Sequence, residues 1–360
     1  MTPAEPGWDA AAFRYRVQEA LDRFLDEQGE RLAPLGPDAA GLLDEARRCV
    51  GGGKRFRAAF CYWGYRSVRP VLTPREDDAL VRACASLEVL HASALVHDDY
   101  MDASDTRRGR PATHRAFEAA HRAAGWPGSS TQYGAAAAIL LGDLLLSWAD
   151  ELLRRCGLPA DLVGEALDVF DQCRSEVITG QFLDVSVQAR GAADVDAAMT
   201  VLRYKSAKYS VERPLHIGAA LAGASAEEVA DLAAFGLPLG EAFQLRDDLL
   251  GVFGDPVATG KPAGDDLVEG KRTVLVALAL DAAPRAEAAV LEAALGTPQA
   301  AAQVARLRDI IDASGAHEQV EHVIGELSAR ALAALDRARL DDDARGVLRD
   351  LAAAATHRVV

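Results

Sequence analysis

Two short acidic segments carry the residues whose types and spacing could do chemistry. The first contains Asp98, Asp99 and Asp102 near the C-terminal end of an apolar, helix-like stretch. Asp98 and Asp102 are four residues apart, which places them one turn apart on one helical face. Three such carboxylates repel one another unless cations lie between them, and their hard oxygen atoms favour Mg²⁺. A solvated acidic helix end is the alternative, although carboxylates there oppose the helix dipole.

The second segment runs from Gln244 to Asp248 and also closes an apolar, helix-like stretch. It contains the adjacent pair Asp247 and Asp248. Each acidic segment is followed by a glycine-containing loop with basic residues. The two segments together predict a cavity with metal ligands on opposite walls and cations at its rim. A diphosphate bridged by Mg²⁺ between the walls would relieve the charge repulsion on both sides.

Basic residues accompany both acidic segments. Lys54 and Arg57 follow three consecutive glycines near the start of a predicted helix, where free N–H groups and the helix dipole favour an anion. Any one basic residue alone would be an ordinary surface charge, but several flank the same two clusters. The others are Arg107, Arg108, Lys205 (beside Ser206), Lys261 and Lys271.

Composition narrows the class of protein. The chain has 360 residues, 50% of them hydrophobic, with a formal net charge of −15. This acidity argues against a nucleic-acid partner. The five cysteines have no metal-ligand spacing and indicate a reducing compartment. Because no signal peptide or uncharged run of about 18 apolar residues is evident, we expect no integral membrane segment and a soluble, cytoplasmic protein.

The hydrophobic pattern is helical almost throughout, with alanine and leucine abundant and no useful strand alternation. We expect residues 1–10 to form a flexible tail and residues 11–360 to form one helical domain. Long helices are predicted over residues 76–101, 194–222 and 226–252, with loops at 105–133 and 254–264. The fold class predicted is all-α, a single large helical bundle with a central active-site cavity.

These motifs resemble those of the trans-isoprenyl diphosphate synthases, or polyprenyl synthetases. The resemblance extends from Gly52 to about Thr273 and includes the glycine-lysine-arginine segment and both aspartate motifs in order. It is greatest to bacterial geranylgeranyl diphosphate synthases and implies the isoprenoid synthase fold. By resemblance, the first motif would hold two Mg²⁺ ions on an allylic diphosphate. Asp247 and Asp248 would hold a third, giving three ions per active site.

The resemblance also implies the substrates and the roles of the basic residues. Arg107, Lys205 and Lys261 would contact the allylic diphosphate. Isopentenyl diphosphate would be bound by a second set: Lys54, Arg57, His91 and Arg108. The implied reaction is ionisation followed by alkylation, with Gln244, Lys205 and Ser206 steadying the allylic cation. Family members of this kind commonly form homodimers, so a homodimer is expected here.

The sequence departs from the family pattern at two positions. Gly251 stands where many members have a third aspartate, four residues after Asp247. Asp255, one turn further on, is a candidate to contribute through water. Tyr100 replaces a more usual aliphatic residue inside the first motif. We expect activity to survive the change at position 251, because Asp247 and Asp248 are present.

Product length depends on residues below the first motif. Ser93 and Ala94, one turn before Asp98, are small, whereas bulky aromatics there stop the product at fifteen carbons in the family. Leu90, Leu87 and Trp148 are candidates for a deeper floor, although core packing explains Trp148 equally well. The prediction is a C20 product, geranylgeranyl diphosphate, with C15, C25 or longer products as open alternatives.

Three other functions would each account for part of this pattern. A class I terpene cyclase shares the first motif but normally has an Asn/Ser/Glu metal site in place of Asp247 and Asp248. It would also have no use for Lys54 and Arg57 on a second diphosphate. A metal-dependent phosphohydrolase is indicated only by His97 beside Asp98. A catalytically inactive regulatory subunit would be expected to have lost one of the aspartate clusters.

Overall fold

The computed structural model describes residues 8–191, 194–254, 264–297 and 301–356, and these residues are almost entirely helical. The all-α prediction is therefore confirmed. The α-helices are α1 (Ala10–Leu32), α2 (Pro37–Val50), α3 (Phe56–Val68), α4 (Pro74–Met101), α5 (Thr113–Ala123), α6 (Ser130–Arg154), α7 (Ala160–Arg190), α8 (Val195–Val201), α9 (Arg213–Ala222), α10 (Ala226–Phe253), α11 (Asp265–Glu269), α12 (Val274–Ala282), α13 (Arg285–Ala294), α14 (Ala301–Ala313), α15 (Ala316–Arg337) and α16 (Asp342–Thr356).

Helices α4 and α10 position the two aspartate motifs. Both begin with a capping box, in which the hydroxyl of Thr73 or Ser225 accepts from a backbone N–H and a glutamate three residues later accepts in return. Both continue for 28 residues, so the aspartates lie at their C-terminal ends. The predicted bounds, 76–101 and 226–252, were therefore nearly correct.

Helix α4 is also the most buried long helix near the site. Its length and apolar composition would by themselves permit a membrane span, but 78% of its most apolar window is buried inside the protein. Leu80 and Leu87 on this helix are fully buried. Packing in the core explains its composition.

A π-helix, Leu202–Glu212, separates α8 from α9. The sequence predicted one continuous helix over 194–222, and this was wrong, because the i→i+5 pattern of a π-helix leaves no clear mark in hydrophobic periodicity. Glycines let its backbone approach two neighbours closely. A Cβ on Gly180 of α7 would lie 2.7 Å from Lys205 Cα, and one on Gly240 of α10 would lie 2.8 Å from the Ala207 carbonyl carbon.

Two strands of two residues each, β1 (Thr106–Arg107) and β2 (Arg110–Pro111), interrupt the predicted loop after the first motif. They pair antiparallel, with Arg107 opposite Arg110. The two turn residues, Arg108 and Gly109, have φ values of 51° and 73°. Positive φ at both positions is typical of the tight turns that match strand twist. The hairpin fixes Arg107 and Arg108 relative to α4.

The predicted tail of residues 1–10 extends too far along the chain. Asp9 caps α1 by accepting from the N–H groups of Ala11 and Ala12, and Trp8 packs edge-on against Trp63 at 5.8 Å. These contacts hold residues 8–10 against the bundle, and residues 1–7 lie outside the described residues. The five cysteines are free thiols. The single-domain assignment stays a prediction.

Candidate active site

A cavity of about 1280 Å³ lies between α4, α7, the π-helix and α10. Most of the residues that the sequence singled out line it: Lys54, Arg57, Leu90, His91, Ser93, Ala94, Asp98, Arg107, Arg108, Lys205, Ser206, Gln244, Asp247, Asp248 and Lys271. Asp99 and Asp102 are buried directly behind this lining. Lys261 and Asp255 lie outside the described residues.

Asp98 is the centre of the first wall. Its Oδ1 accepts from Gln181 at 3.1 Å and lies 3.3 Å from the Lys205 ammonium. Burial alone would raise the pKa of Asp98, but Lys205, Lys271 and Arg107 together hold it well below its usual range. Asp98 is therefore an anion at any physiological pH.

Arg107 contacts the first motif directly. Its Nε donates to Asp99 Oδ1 at 2.8 Å, its Nη2 donates to the same oxygen, and Nη2 lies 3.7 Å from Asp98 Oδ2. Burial opposes the charge of Arg107, but the pairing with Asp99 raises its pKa. Arg107 thus lies within the metal-ligand cluster, where its charge is available to a diphosphate bound there.

Lys271 links the two walls. Its Nζ lies 3.4 Å from Asp102 Oδ2, 3.5 Å from Asp266 Oδ1 and 2.5 Å from Glu269 Oε2. Asp102 Oδ2 is buried and accepts no hydrogen bond from the described residues. Burial and the nearby Asp98 charge raise the pKa of Asp102 to about 6. A buried carboxylate oxygen that is paired with an ammonium group but accepts no hydrogen bond is a ready ligand for a cation.

The second wall is formed by Gln244, Asp247 and Asp248 at the end of α10. Gln244 Nε2 donates to Asp248 Oδ1 at 2.8 Å. Burial raises the pKa of Asp248 to about 8, and repulsion from Asp266 and Asp247 adds to the rise. A carboxyl group that resists ionisation in this way becomes easier to ionise when a cation arrives.

The donor set fits Mg²⁺. Within the described ranges, no three His, Cys, Asp or Glu side chains converge closely enough to hold a metal ion by themselves. Mg²⁺ does not require such a group, since it commonly uses one or two carboxylates and completes its six ligands with water and substrate phosphate oxygens. Asp98, Asp99 and Asp102 would hold Mg²⁺ on one wall, and Asp247 and Asp248 on the other.

The basic end of the cavity lies beyond the first wall. Arg57 Nη2 donates to Ser210 Oγ at 2.8 Å, and its guanidinium lies 4.2 Å above the Tyr209 ring. Arg108 Nη1 donates to the Gly51 carbonyl at 2.9 Å. Burial and the neighbouring arginines keep the pKa of His91 well below its usual value, so this imidazole is neutral. Lys54 lines the cavity together with these residues, and their charges could hold a second anion.

Arg55 is a structural cation that the sequence did not separate from its neighbours. It is 6% exposed and lies 3.1 Å from Glu88 on α4. Its φ of 57° is left-handed. Like Lys54 and Arg57 it lines the cavity, but its guanidinium is paired with the buried Glu88 carboxylate. Arg55 therefore stabilises the start of α3 through its ion pair with Glu88.

Gln181 and Asp184 of α7 were missed by the sequence analysis. Lys205 Nζ contacts Asp184 Oδ2 at 2.6 Å, and Gln181 reaches Asp98. The available signal was a pair of polar residues three apart on a predicted helix, directly after Gly180. Together they hold the Lys205 ammonium against Asp98, and these two aspartates raise the pKa of Lys205 despite its burial.

The predicted tunnel residues separate into two groups. Ser93, Ala94 and Leu90 line the cavity, and Ser93 Oγ donates to the Gly142 carbonyl at 2.7 Å. Trp148 and Leu87 do not line it. The Trp148 ring packs edge-on against Phe24 at 6.2 Å, so the core-packing interpretation holds for Trp148.

Tyr100 also points away from the cavity. Its ring contacts His114 of α5 at 5.6 Å and is 39% exposed. Because it does not touch the carboxylates of the first motif, the departure from an aliphatic residue at this position leaves the donor set unchanged.

Comparison with known proteins gives the same assignment as the geometry. A family model for polyprenyl synthetase matches residues 42–313. The chain is 40% identical to a geranylgeranyl pyrophosphate synthase from Corynebacterium glutamicum solved with isoprenyl diphosphate and magnesium, with a TM-score of 0.94 over 98% of this chain and 100% of that one. It is 32% identical to a geranylgeranyl diphosphate synthase from Mycobacterium tuberculosis, over 88% of this chain and 84% of the relative.

A third relative differs in its product. A geranylfarnesyl diphosphate synthase from Natronomonas pharaonis is 34% identical over 78% of this chain and 79% of its own length. All three similarities extend over most of both chains. The protein therefore belongs to the polyprenyl synthetase family and is a prenyltransferase, as the motifs predicted. The family is magnesium-dependent, in agreement with the donor set.

Proposed function

We propose that this chain catalyses the head-to-tail condensation of isopentenyl diphosphate with an allylic diphosphate, using three Mg²⁺ ions. The observation that carries the proposal is the division of one cavity into two anion sites. Carboxylates from α4 and α10 face each other across the first site, whereas Lys54, Arg57, His91 and Arg108 surround the second. A cyclase or a phosphohydrolase needs only the first site.

Each group has a defined task in this reaction. The two aspartate clusters would hold Mg²⁺, which would supply the positive charge that makes the diphosphate a better leaving group. Lys205 and Arg107 add positive charge where negative charge develops as the allylic C–O bond breaks. Lys205 is held for this purpose by Asp98 and Asp184, at 3.3 and 2.6 Å. The backbone carbonyl groups of the π-helix and the Gln244 side chain oxygen stabilise the allylic cation.

The isopentenyl double bond then attacks the cation from the basic end of the cavity. Arg57, Arg108 and Lys54 hold the isopentenyl diphosphate, which fixes the distance between the two reacting carbons. Loss of a proton to the released diphosphate completes the new double bond. No covalent bond to the protein forms in this sequence of steps.

We further propose a C20 product. Ala94 and Ser93 leave the cavity open below Asp98, and apolar residues of α6 and α7, Leu146, Val177 and Ile178, continue its lining. Relatives that make C15, C20 and C25 products share the family, so product length is set by such lining residues. A C15 or C25 product is the alternative.

We also propose that the protein is a soluble, cytoplasmic enzyme and that it forms a homodimer. Large apolar side chains on α6 are exposed in the single chain. Ile139 and Leu140 are 45% and 62% exposed, and neither lines the cavity. Such a patch is typical of a protein interface, and a second copy would cover it. Sedimentation of Leu140→Glu beside the unaltered protein tests this, since the variant should sediment as a monomer.

The reaction is tested by incubating the purified protein with isopentenyl diphosphate, Mg²⁺ and each allylic primer, followed by chromatography of the dephosphorylated products. We expect a C20 alcohol that is lost with EDTA or in Asp98→Ala. Arg57→Ala is the informative variant, because it should abolish elongation while allylic diphosphate still binds. No elongation from any primer would contradict the synthase assignment.

A further inference from the structure

Gly251 has no backbone reason to be glycine. It lies four residues after Asp247 in the last turn of α10, lines the cavity, and is absent from the residues with positive φ. A helical position of this kind ordinarily favours a residue with a side chain. A side chain at position 251 is excluded by the neighbouring Asp266. A Cβ at this position would overlap Asp266 Oδ2 and lie 2.5 Å from Asp266 Cγ.

Asp266 reaches this position from a different element. It lies in the first turn of α11, and its carboxylate lines the cavity with Asp247 and Asp248. Its side chain is 13% exposed, and its Oδ1 lies 3.5 Å from the Lys271 ammonium. The same ammonium lies 3.4 Å from Asp102 of the first motif. The Asp266 carboxylate is therefore directed into the cavity from the place where a side chain at position 251 would begin.

We propose that Asp266 supplies the third carboxylate of the second aspartate cluster, in place of a side chain at position 251. This inference rests on the proposed function, because it assigns a ligand, direct or through water, to the cation held by Asp247 and Asp248. The second cluster is then composite, with two carboxylates from α10 and one from α11. Gly251 is the residue that makes room for the third.

The inference predicts that an aspartate at position 251 of α10 can replace the carboxylate of Asp266. Three variants test it: Asp266→Asn, Gly251→Asp, and the exchange Gly251→Asp with Asp266→Ser. Asp281→Asn, an exposed position at the end of α12, is a control for the change in net charge. Binding of Mn²⁺ in the presence of inorganic diphosphate is followed by electron paramagnetic resonance, which counts bound ions without requiring turnover. Thermal unfolding checks the fold of each variant.

We expect Asp266→Asn to lower the affinity for the most weakly bound Mn²⁺ ion by about tenfold or more, which is typical of removing a group that supports a metal ion. Asp281→Asn should bind Mn²⁺ with the affinity of the unaltered protein. Gly251→Asp alone should lower thermal stability, because two carboxylates would overlap. The exchange variant should recover Mn²⁺ binding to within about threefold of the unaltered protein, one carboxylate having replaced the other.

Two results would overturn the inference alone: unchanged Mn²⁺ binding by Asp266→Asn, or a folded exchange variant that binds no better than Asp266→Asn. Failure of the unaltered protein to bind Mn²⁺ with diphosphate would instead overturn the proposed function, and the inference with it.

Discussion

The Tyr209 hydroxyl lies 2.9 Å from His91 Nδ1, and the same phenol ring lies 4.2 Å below the Arg57 guanidinium. Burial raises the pKa of Tyr209, so the phenol keeps its proton, while the pKa of His91 is lowered and the imidazole is neutral. The two neutral groups share one hydrogen bond, and the imidazole tautomer determines which of them donates. One π-helix residue thus orients two side chains of the second anion site.

Tyr209→Phe should therefore raise the KM for isopentenyl diphosphate while leaving the KM for the allylic substrate unchanged. Loss of a hydrogen bond worth about 1 kcal/mol corresponds to roughly a fivefold increase in the KM for isopentenyl diphosphate. Steady-state kinetics with each substrate varied in turn measures the effect. Tyr62→Phe is the matched control, because the buried Tyr62 donates to Asp77 at 2.8 Å and neither residue lines the cavity. Equal changes in both KM values would contradict the assignment.

Asp248 predicts an unusual pH dependence for the metal-free protein. Its folded pKa of about 8 exceeds its ordinary value of 3.8, so the folded state binds more protons than the unfolded state between these values. The contribution of Asp248 to stability is therefore greatest below pH 4 and falls as the pH rises to 8. Asp248→Asn removes this dependence, and its stabilising effect in EDTA should grow from pH 5 to pH 8.

Thermal unfolding of both proteins across this range measures the effect. Asp281→Asn controls for the removal of one carboxylate at an exposed site. Mg²⁺ with inorganic diphosphate should reverse the order at pH 8, because the ionised Asp248 then gains a cation. If thermal stability changed with pH in the same way for the unaltered protein and for Asp248→Asn between pH 5 and pH 8, the raised pKa of Asp248 would be contradicted.

The sequence predicts features that depend on local spacing, but not contacts between residues that are far apart along the chain. Asp98 and Asp102 share a face because a helix places residues four apart together, and a capping box at Thr73 and the buried run after it fix that helix locally. The pairing of His91 with Tyr209 joins residues 118 positions apart. Such a contact has no signature in spacing, since it depends on how the helices pack.

The same limit applies to the π-helix and to Gly251. Hydrophobic periodicity could not separate Leu202–Glu212 from an α-helix, although the register of this segment determines where Lys205 and Tyr209 point. Gly251 could be recognised as a departure from the sequence alone. Its partner could not, because Asp266 is one of several acidic residues that follow α10, and only packing brings its carboxylate against Gly251.

Lys271 should stabilise the metal-free protein by neutralising the carboxylates around it. Lys271→Met leaves Asp102 and Glu269 buried without this cation, and removing one partner of a buried ion pair typically costs about 3 kcal/mol. The loss in free energy of unfolding should be larger at pH 8 than at pH 5.5, where the carboxyl groups can take up protons instead. Urea denaturation in EDTA at both pH values measures it.

Lys208→Met provides a comparison outside the cavity. Lys208 Nζ lies 2.9 Å from Glu212 Oε2 and 3.7 Å from Glu176 Oε1, so its removal should also destabilise the protein. Mg²⁺ with inorganic diphosphate should restore stability to Lys271→Met and leave Lys208→Met unchanged. Equal responses of the two variants to Mg²⁺ would contradict the placement of Lys271 between the metal-binding walls.

Ala94 and Trp148 should differ in their effect on product length, because only Ala94 lines the cavity. Ala94→Phe would place an aromatic ring across the passage below Asp98, so the main product should shorten from C20 to C15. Trp148→Phe should keep the product unchanged and lower only the thermal stability, since the indole packs against Phe24 in the core. Chromatography of the dephosphorylated products, with unfolding curves for both variants, separates the two effects. A shorter or longer product from Trp148→Phe would show that the passage extends to α6 beyond its present lining, whereas an unchanged product from Ala94→Phe would place the chain along a different wall.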